Sequence, residues 1–499
     1  MKKLGTIAAV GALAALFATP AQAIDFTAKG HWWMGFTAWQ NNFTEKTRSG
    51  DETRRTSSKD KFEALQRFRV QIEARASENL SGMLQFQIGN QRWGNAGTGG
   101  ALGADGQVIK VRWAYMDWAV PEADLKVRMG MQPIALPNRA GGPAVLDSRS
   151  AAVVASLPLT ENIGVTAMWL RPSNDNYTDN AGSQSNYLDN MDLFGLTVPM
   201  KFEGFEVEPW ALYGMIGKNT FAGGSHWNDG SSSFSLNPYH GTSGNEAEVS
   251  RTGKAYGSCF WAGIPLAITY WDPLNIEFDF NYGYVESMGR YTAFKGLDQT
   301  AVRGTTERQG WLAKALVEYK TDWGTPGIFG WYGSGDDGSI KNGSERMPVL
   351  APYGTFTSFL GDGGLAWAWQ DCMVSYSGTW GLGLQIKDMS FLENLSHTVR
   401  ATWWGGTNSP SMVKYMEEAY AWDYGSYNTD GPYMTTNDAL LEFNLSTNYK
   451  MYDNFDINLE LGYIVNFMDN DTWKDAGTRN TSFSKQDAWK IQLAFMYNF

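Results

Sequence analysis

The chain has 499 residues and a formal net charge of −12, from 52 acidic against 40 basic residues, which leaves no overall basic balance of the kind nucleic-acid binding needs. After the first 23 residues no apolar run reaches the roughly 18 residues of a helical membrane span, although 14% of the chain is aromatic and 55 residues are glycine. A mean hydropathy of −0.35 with this aromatic content fits strands that hide only half of their side chains.

In chain order, Met1-Lys2-Lys3, the apolar run 4–17 and Ala21-Gln22-Ala23 form the charged, greasy and small-residue parts of a secretory signal peptide over 1–23. Cleavage after Ala23 removes two lysines and leaves one unit, 24–499, with a net charge of −14. No Pro-rich linker or long charge run divides it, so one repetitive architecture is expected.

The period-two signal is clear over 65–76, where Phe68, Val70, Ile72 and Ala74 alternate with Arg67, Arg69, Gln71, Glu73 and Arg75. Residues 125–132 repeat the pattern, with Val127, Met129 and Met131 against Lys126, Arg128 and Gln132. So do 455–466 and 486–499, the last placing Trp489, Ile491, Leu493, Phe495, Tyr497 and Phe499 on one face. A strand with one greasy and one wet face predicts the wall of a transmembrane antiparallel β-barrel.

Turn chemistry at 78–82, 121–124, 158–161, 200–204, 272–275, 322–327, 389–395 and 452–454 predicts short connections at one rim. Long loops are expected at 40–61, 93–107, 133–149, 172–187, 217–256, 287–307, 335–373, 406–436 and 469–485, which gives eighteen strands, or sixteen if one hairpin is misassigned. The segment 150–157 is the weakest strand and is kept because single-chain bacterial barrels are even-numbered. Pro209 and Pro265 fall inside predicted strands, where each removes a ladder hydrogen bond and needs a bulge or a shifted boundary. Aromatics near strand ends, among them Trp32, Trp33, Trp113, Tyr115, Trp118, Trp210, Trp271, Trp403 and Trp404, suggest interfacial girdles.

Few residues offer covalent chemistry. The four histidines have no zinc or general-base spacing, and no serine stands out as the nucleophile of a barrel enzyme. Asp469-Asn470-Asp471 lacks the Gly and closing Glu of a calcium loop. No metal or cofactor is therefore expected. Cys259 and Cys372 fall where long loops meet strands on one predicted rim. An oxidising periplasm would pair them, and two separate buried thiols are the alternative. The wet faces are more informative, because Arg67, Arg69, Arg75, Lys110, Arg112, Lys126 and Arg128 come from neighbouring strands and point into the barrel. Glu277 and Asp279 enter from roughly the opposite wall.

The terminal strand ending in Phe499 resembles that of bacterial outer-membrane homotrimeric porins, and 24–39 with the overall length look most like the group from sulfate-reducing bacteria. The resemblance implies a homotrimer set among outer-membrane lipid and lipopolysaccharide, with Phe499 as the assembly signal read by the barrel-assembly machinery. It also implies a third long loop folded inward as a constriction, matched here by 133–149. That loop departs from the family's usual acidity, since it offers Asp147 beside Arg139 and Arg149. The expected function is passive diffusion of small hydrophilic solutes, organic acids and inorganic anions foremost, without catalysis. A sugar-specific channel and a barrel enzyme are the rival readings.

Overall fold

Alternation of lipid-loving and polar side chains becomes a closed wall in the computed structural model, which describes residues 24–40, 43–49, 52–55, 61–104, 109–174, 188, 190–218, 236, 244–245, 254–295, 300–356, 376–416, 433–474, 476 and 481–499. The expected signal segment 1–23 and Cys372 lie outside the described residues.

The wall begins with β1 (Asp25–Gln40), β2 (Lys61–Ser77), β3 (Leu80–Arg92), β4 (Ile109–Ala119), β5 (Lys126–Ala135) and β6 (Asp147–Pro158). It continues through β7 (Gly164–Asn174), an interrupted β8 (Asn190–Thr197 and Met200–Phe202), an interrupted β9 (Phe205–Val207 and Trp210–Gly217), β10 (Tyr256–Ile268), β11 (Leu274–Val285) and β12 (Arg308–Tyr319). The last six are β13 (Thr325–Gly333), β14 (Thr379–Leu392), β15 (Leu395–Gly406), β16 (Ala439–Tyr452), β17 (Phe455–Asn466) and β18 (Ala488–Asn498). Each pairs antiparallel with its chain neighbours, and β18 pairs with β1 from His31↔Asn498 to Gln40↔Trp489, so the sheet closes without an edge. The expected eighteen strands are all present, including the weakly patterned one at 150–157, and the eight expected short turns join them at one rim.

The prolines are accommodated together. Glu208 N donates to Pro265 O (3.1 Å), Val198 N to Pro209 O (3.0 Å) and Gly164 N to Pro199 O (2.9 Å). A strand residue's N–H and C=O point the same way in an antiparallel ladder, so the N–H that Pro209 and Pro265 lack would face the breaks in β8 and β9.

The outer face is apolar: Trp32, Leu84, Met116, Trp118, Phe194, Phe278, Leu384 and Ile491 are among its exposed side chains. This is the surface of a membrane-spanning barrel. The girdle expectation holds for Trp32, Trp118, Trp271 and Trp403, which are exposed. It is corrected for Trp33, Trp113, Tyr115, Trp210 and Trp404, which lie on the inner face. Adjacent residues of a strand face opposite ways, so Trp32-Trp33 and Trp403-Trp404 cannot both meet lipid.

Over β7 to β13 much of the inner face is apolar as well, interrupted on β11 and β12 by Glu277, Asp279 and Lys314. Leu170, Leu193, Leu212, Trp261, Leu312 and Phe329 are buried there against Leu136, Val145 and Leu146 of the third loop and Ile340, Val349 and Phe356 of the seventh. Fully burying one such side chain is worth roughly 1.5 to 3 kcal/mol. The two loops are held to each other by main-chain bonds: Leu350 N and Ala351 N to Val145 O (both 2.9 Å), Tyr353 N to Pro143 O (2.8 Å) and Thr355 N to Gly141 O (3.0 Å). Gly142, with φ +84°, allows this approach, because an added Cβ would lie 2.1 Å from Tyr353 O. One side of the barrel is thus filled by a dry core.

Other loops interlock above the rim. Asp438 accepts bonds from Thr435, from Trp473 Nε1 and from Asp469 N, while Asp469 caps the helical turn Asn470–Trp473 through Thr472 N. Burial pushes the Asp438 carboxyl up, and the hydroxyl and main-chain donors around Asp469 hold its carboxyl low.

Candidate functional site

The inner face opposite that dry core keeps its polar character, because β1 to β6 carry the charged residues of the alternation. Across β1 and β2, Trp33 faces Arg67 and His31 faces Arg69. The Arg67 guanidinium lies 4.5 Å over the Trp33 ring. Arg69 Nε donates to Gln87 Oε1 at 2.8 Å, and Arg112 Nη1, at a bulge in the β3–β4 ladder, donates to Gln85 Oε1 at 3.3 Å. These neutral glutamine acceptors orient the guanidinium groups without cancelling their charge.

Arg149 joins them by a change of course in the chain. The β5–β6 ladder runs on to Ala135↔Asp147, whereas β4 pairs with β5 only as far as Met131 and β6 meets β7 only from Ala151. Freed on both sides, residues 132–150 leave the wall and fold inward. Arg67, Arg69, Arg112 and Arg149 then lie close enough to repel one another, and His31 feels the first three.

The other cations of the expected wall are placed differently. Arg75 pairs with Glu73 at 2.9 Å. Arg128 is held by both oxygens of Asp117 (2.6 and 2.9 Å) and lies 4.3 Å over Tyr115, so its charge is largely compensated. Lys110 and Lys126 are exposed at the starts of two antiparallel strands and so lie towards opposite rims. Beside Arg75, Asp117, Lys126 and Arg128 the wall opens on a cavity of about 580 Å³.

Across the barrel, Glu277 lies on the inner face and accepts a bond from Asn275 at 3.0 Å. Asp279 is only 1% exposed. Its carboxylate accepts the main-chain N–H of Arg139 and of Ala140, beside Lys314, whose ammonium donates to Gly142 O. Asp279 therefore anchors the third loop instead of facing water. Arg139 reaches Glu206 at 2.7 Å, and Asp147 is exposed next to Arg149.

In the seventh loop, burial and the neighbouring Asp336 and Asp337 push the Glu345 carboxyl up to about 7, against a bond from Asp337 N. The Tyr376 hydroxyl, driven up by burial, donates to Gly141 O and accepts from Phe356 N, both at 3.0 Å.

Phe499 exchanges both main-chain bonds with Gly30 (3.0 Å each), and its ring stacks on Phe68 at 5.9 Å. Cys259 is buried on the inner face against Gly214. Its expected partner Cys372 lies outside the described residues.

Sequence reasoning missed Trp33 and His31, although they share a parity with the arginines they pair with. It also missed Lys314, whose signal was a single charge inside the apolar run 311–317. The seventh loop's packing against the third has no local signature in the sequence.

No family model and no curated protein matches this chain. Among solved structures it is similar to the outer membrane protein OpdK of Pseudomonas aeruginosa, at 10% identity over 95% of this chain and 99% of that one, TM-score 0.48. It is similar also to OccAB3 of Acinetobacter baumannii (8%, 95% and 99%, TM-score 0.48) and to the trimer form of OmpT, an outer membrane protein of Vibrio cholerae (10%, 96% and 100%, TM-score 0.39).

Proposed function

We propose that the chain forms a water-filled channel in the bacterial outer membrane, through which small hydrophilic solutes diffuse passively with a mild preference for anions. The observation that carries this reading is the convergence of Arg67, Arg69, Arg112 and Arg149 on the polar side of a barrel whose other side is packed dry. Positive charge along one wall of a narrow, low-dielectric tube concentrates anions and opposes cations. Organic acids and inorganic anions are the cargo this wall suits. The lipid-facing apolar band supports the membrane setting, and the Phe499 ending supports assembly as a homotrimer akin to porins, with the sulfate-reducer group suggested by 24–39 and chain length.

A substrate-specific channel is the second reading, favoured by Trp33, Trp113 and Tyr115 on the inner face beside the arginines, where flat rings could stack on a sugar. Single-channel recording separates the two. Conductance that scales with salt and resists block supports general diffusion; block by a sugar at low concentration supports the specific channel. Turnover of a substrate with little conductance would overturn both in favour of an enzyme.

A further inference from the structure

The sixth loop carries a second basic site, unrelated to the wall. Its hairpin, Arg290–Lys295 and Thr300–Thr305, pairs Arg290 with Thr305 and Thr292 with Arg303. Arg290 and Arg303 are therefore diagonal neighbours on one face, within reach of each other's long side chains. Gly304 lets the seventh loop press against this hairpin: an added Cβ would meet Ile340 O at 2.2 Å, and Thr305 N donates to that same oxygen at 3.1 Å. The contact brings Lys341 to the rim of the same cavity.

That cavity, of about 510 Å³, is lined by Arg290, Arg303, Lys341, Ser287, Thr305, Gly289 and Gly304, with no acidic residue among them. All three cations are exposed, and among the described residues none forms an ion pair. The hydroxyls of Ser287 and Thr305 sit 2.6 Å apart at its edge. In a chain with 52 acidic residues, three cations from two loops meet around one opening without a carboxylate.

We propose that this cavity binds a phosphate monoester or diphosphate group, which places three charge-assisted donors around tetrahedral oxygens. Such a group could belong to the headgroup of lipopolysaccharide, because the hairpin stands at the long-loop rim, or to a free phosphorylated solute gathered at the mouth. The lipid source rests on the outer-membrane reading; the free-anion source does not.

The test is titration of the detergent-solubilised full-length barrel with lipopolysaccharide, with enzymatically dephosphorylated lipopolysaccharide and with inorganic pyrophosphate. The triple variant R290Q/R303Q/K341Q is compared with the charge-preserving R290K/R303K/K341R. The proposal expects the glutamine variant to bind at least one phosphorylated probe about tenfold more weakly or worse, and the charge-preserving variant to retain binding. Both variants should stay heat-modifiable, with unchanged conductance. Loss of affinity on dephosphorylation, with no binding of pyrophosphate, identifies the lipid headgroup; pyrophosphate binding that the glutamine variant loses, with lipopolysaccharide affinity unchanged by dephosphorylation, identifies a free anion. Equal affinity of the native and glutamine-variant proteins for every probe overturns the site while leaving the channel reading untouched.

Discussion

Gly30 and Phe499 carry barrel closure at the level of single residues. A Cβ on Gly30 would lie 2.3 Å from Arg69 O and 2.8 Å from the tip of the Phe499 ring. The first contact is with main chain and cannot be relieved by a rotamer change. Gly30→Val should therefore weaken both ladders of β1, and deletion of Phe499 should remove the two main-chain bonds and the stacked ring that seal β18 to β1. Heat-modifiable barrel in the outer membrane is expected to fall in both strains while export continues; normal levels in the deletion strain would refute the assembly role of Phe499. Asp279 is the second test at this scale. Asp279→Ala leaves the Arg139 and Ala140 N–H groups without their acceptor and buried Lys314 with only the weaker influence of Glu277, a loss of roughly 3 to 5 kcal/mol for breaking a buried charged contact. The third loop should loosen, giving a larger and noisier single-channel conductance than the native protein. A quiet, native conductance would mean that the loop is held elsewhere.

The loops show where the sequence was legible and where it was not. Strands β2, β5, β17 and β18 alternate cleanly because one face meets lipid and the other meets water or polar neighbours, and turn chemistry located all eight short connections. By contrast, β8, β9, β10 and β12 place Leu193, Leu212, Trp261 and Leu312 inward, against loops that arrive from far along the chain. Alternation cannot separate such a strand from the core of a soluble sheet; only its place between recognisable turns marked it. The same long-range packing hid the anchoring role of Asp279, whereas the pairs that compensate Arg75 and Arg128 are local, with Glu73 two residues away on the same face and Asp117 directly across the β4–β5 hairpin. Within the seventh loop, Glu345 gives a pH test. Its carboxyl is pushed up to about 7, above the ordinary value of an unfolded glutamate. The penalty for its charge is thus absent below about 4.5, grows as pH rises through 7, and is full above that. Hydrogen-exchange protection of 336–346, corrected for intrinsic rates, should fall between pH 5 and pH 8, and Glu345→Gln should flatten that dependence. The same fall in the Gln variant would assign it to another group.

At the scale of the molecule, in the proposed channel a barrel filled on one side and charged on the other would confine permeating solutes to the arginine wall, so the sign of that wall should set selectivity whatever the net charge of the chain. A slip of one residue would turn these arginines to lipid, at roughly 2 to 4 kcal/mol each near mid-membrane, and the barrel would not insert. The most direct measurement is the reversal potential of the reconstituted channel in a salt gradient, for the native protein and for R67E/R69E/R112E, at low ionic strength where screening is weak. The account predicts an anion-selective potential for the native channel and a shift to cation selectivity in a variant that remains folded and conducting. Identical reversal potentials would contradict it.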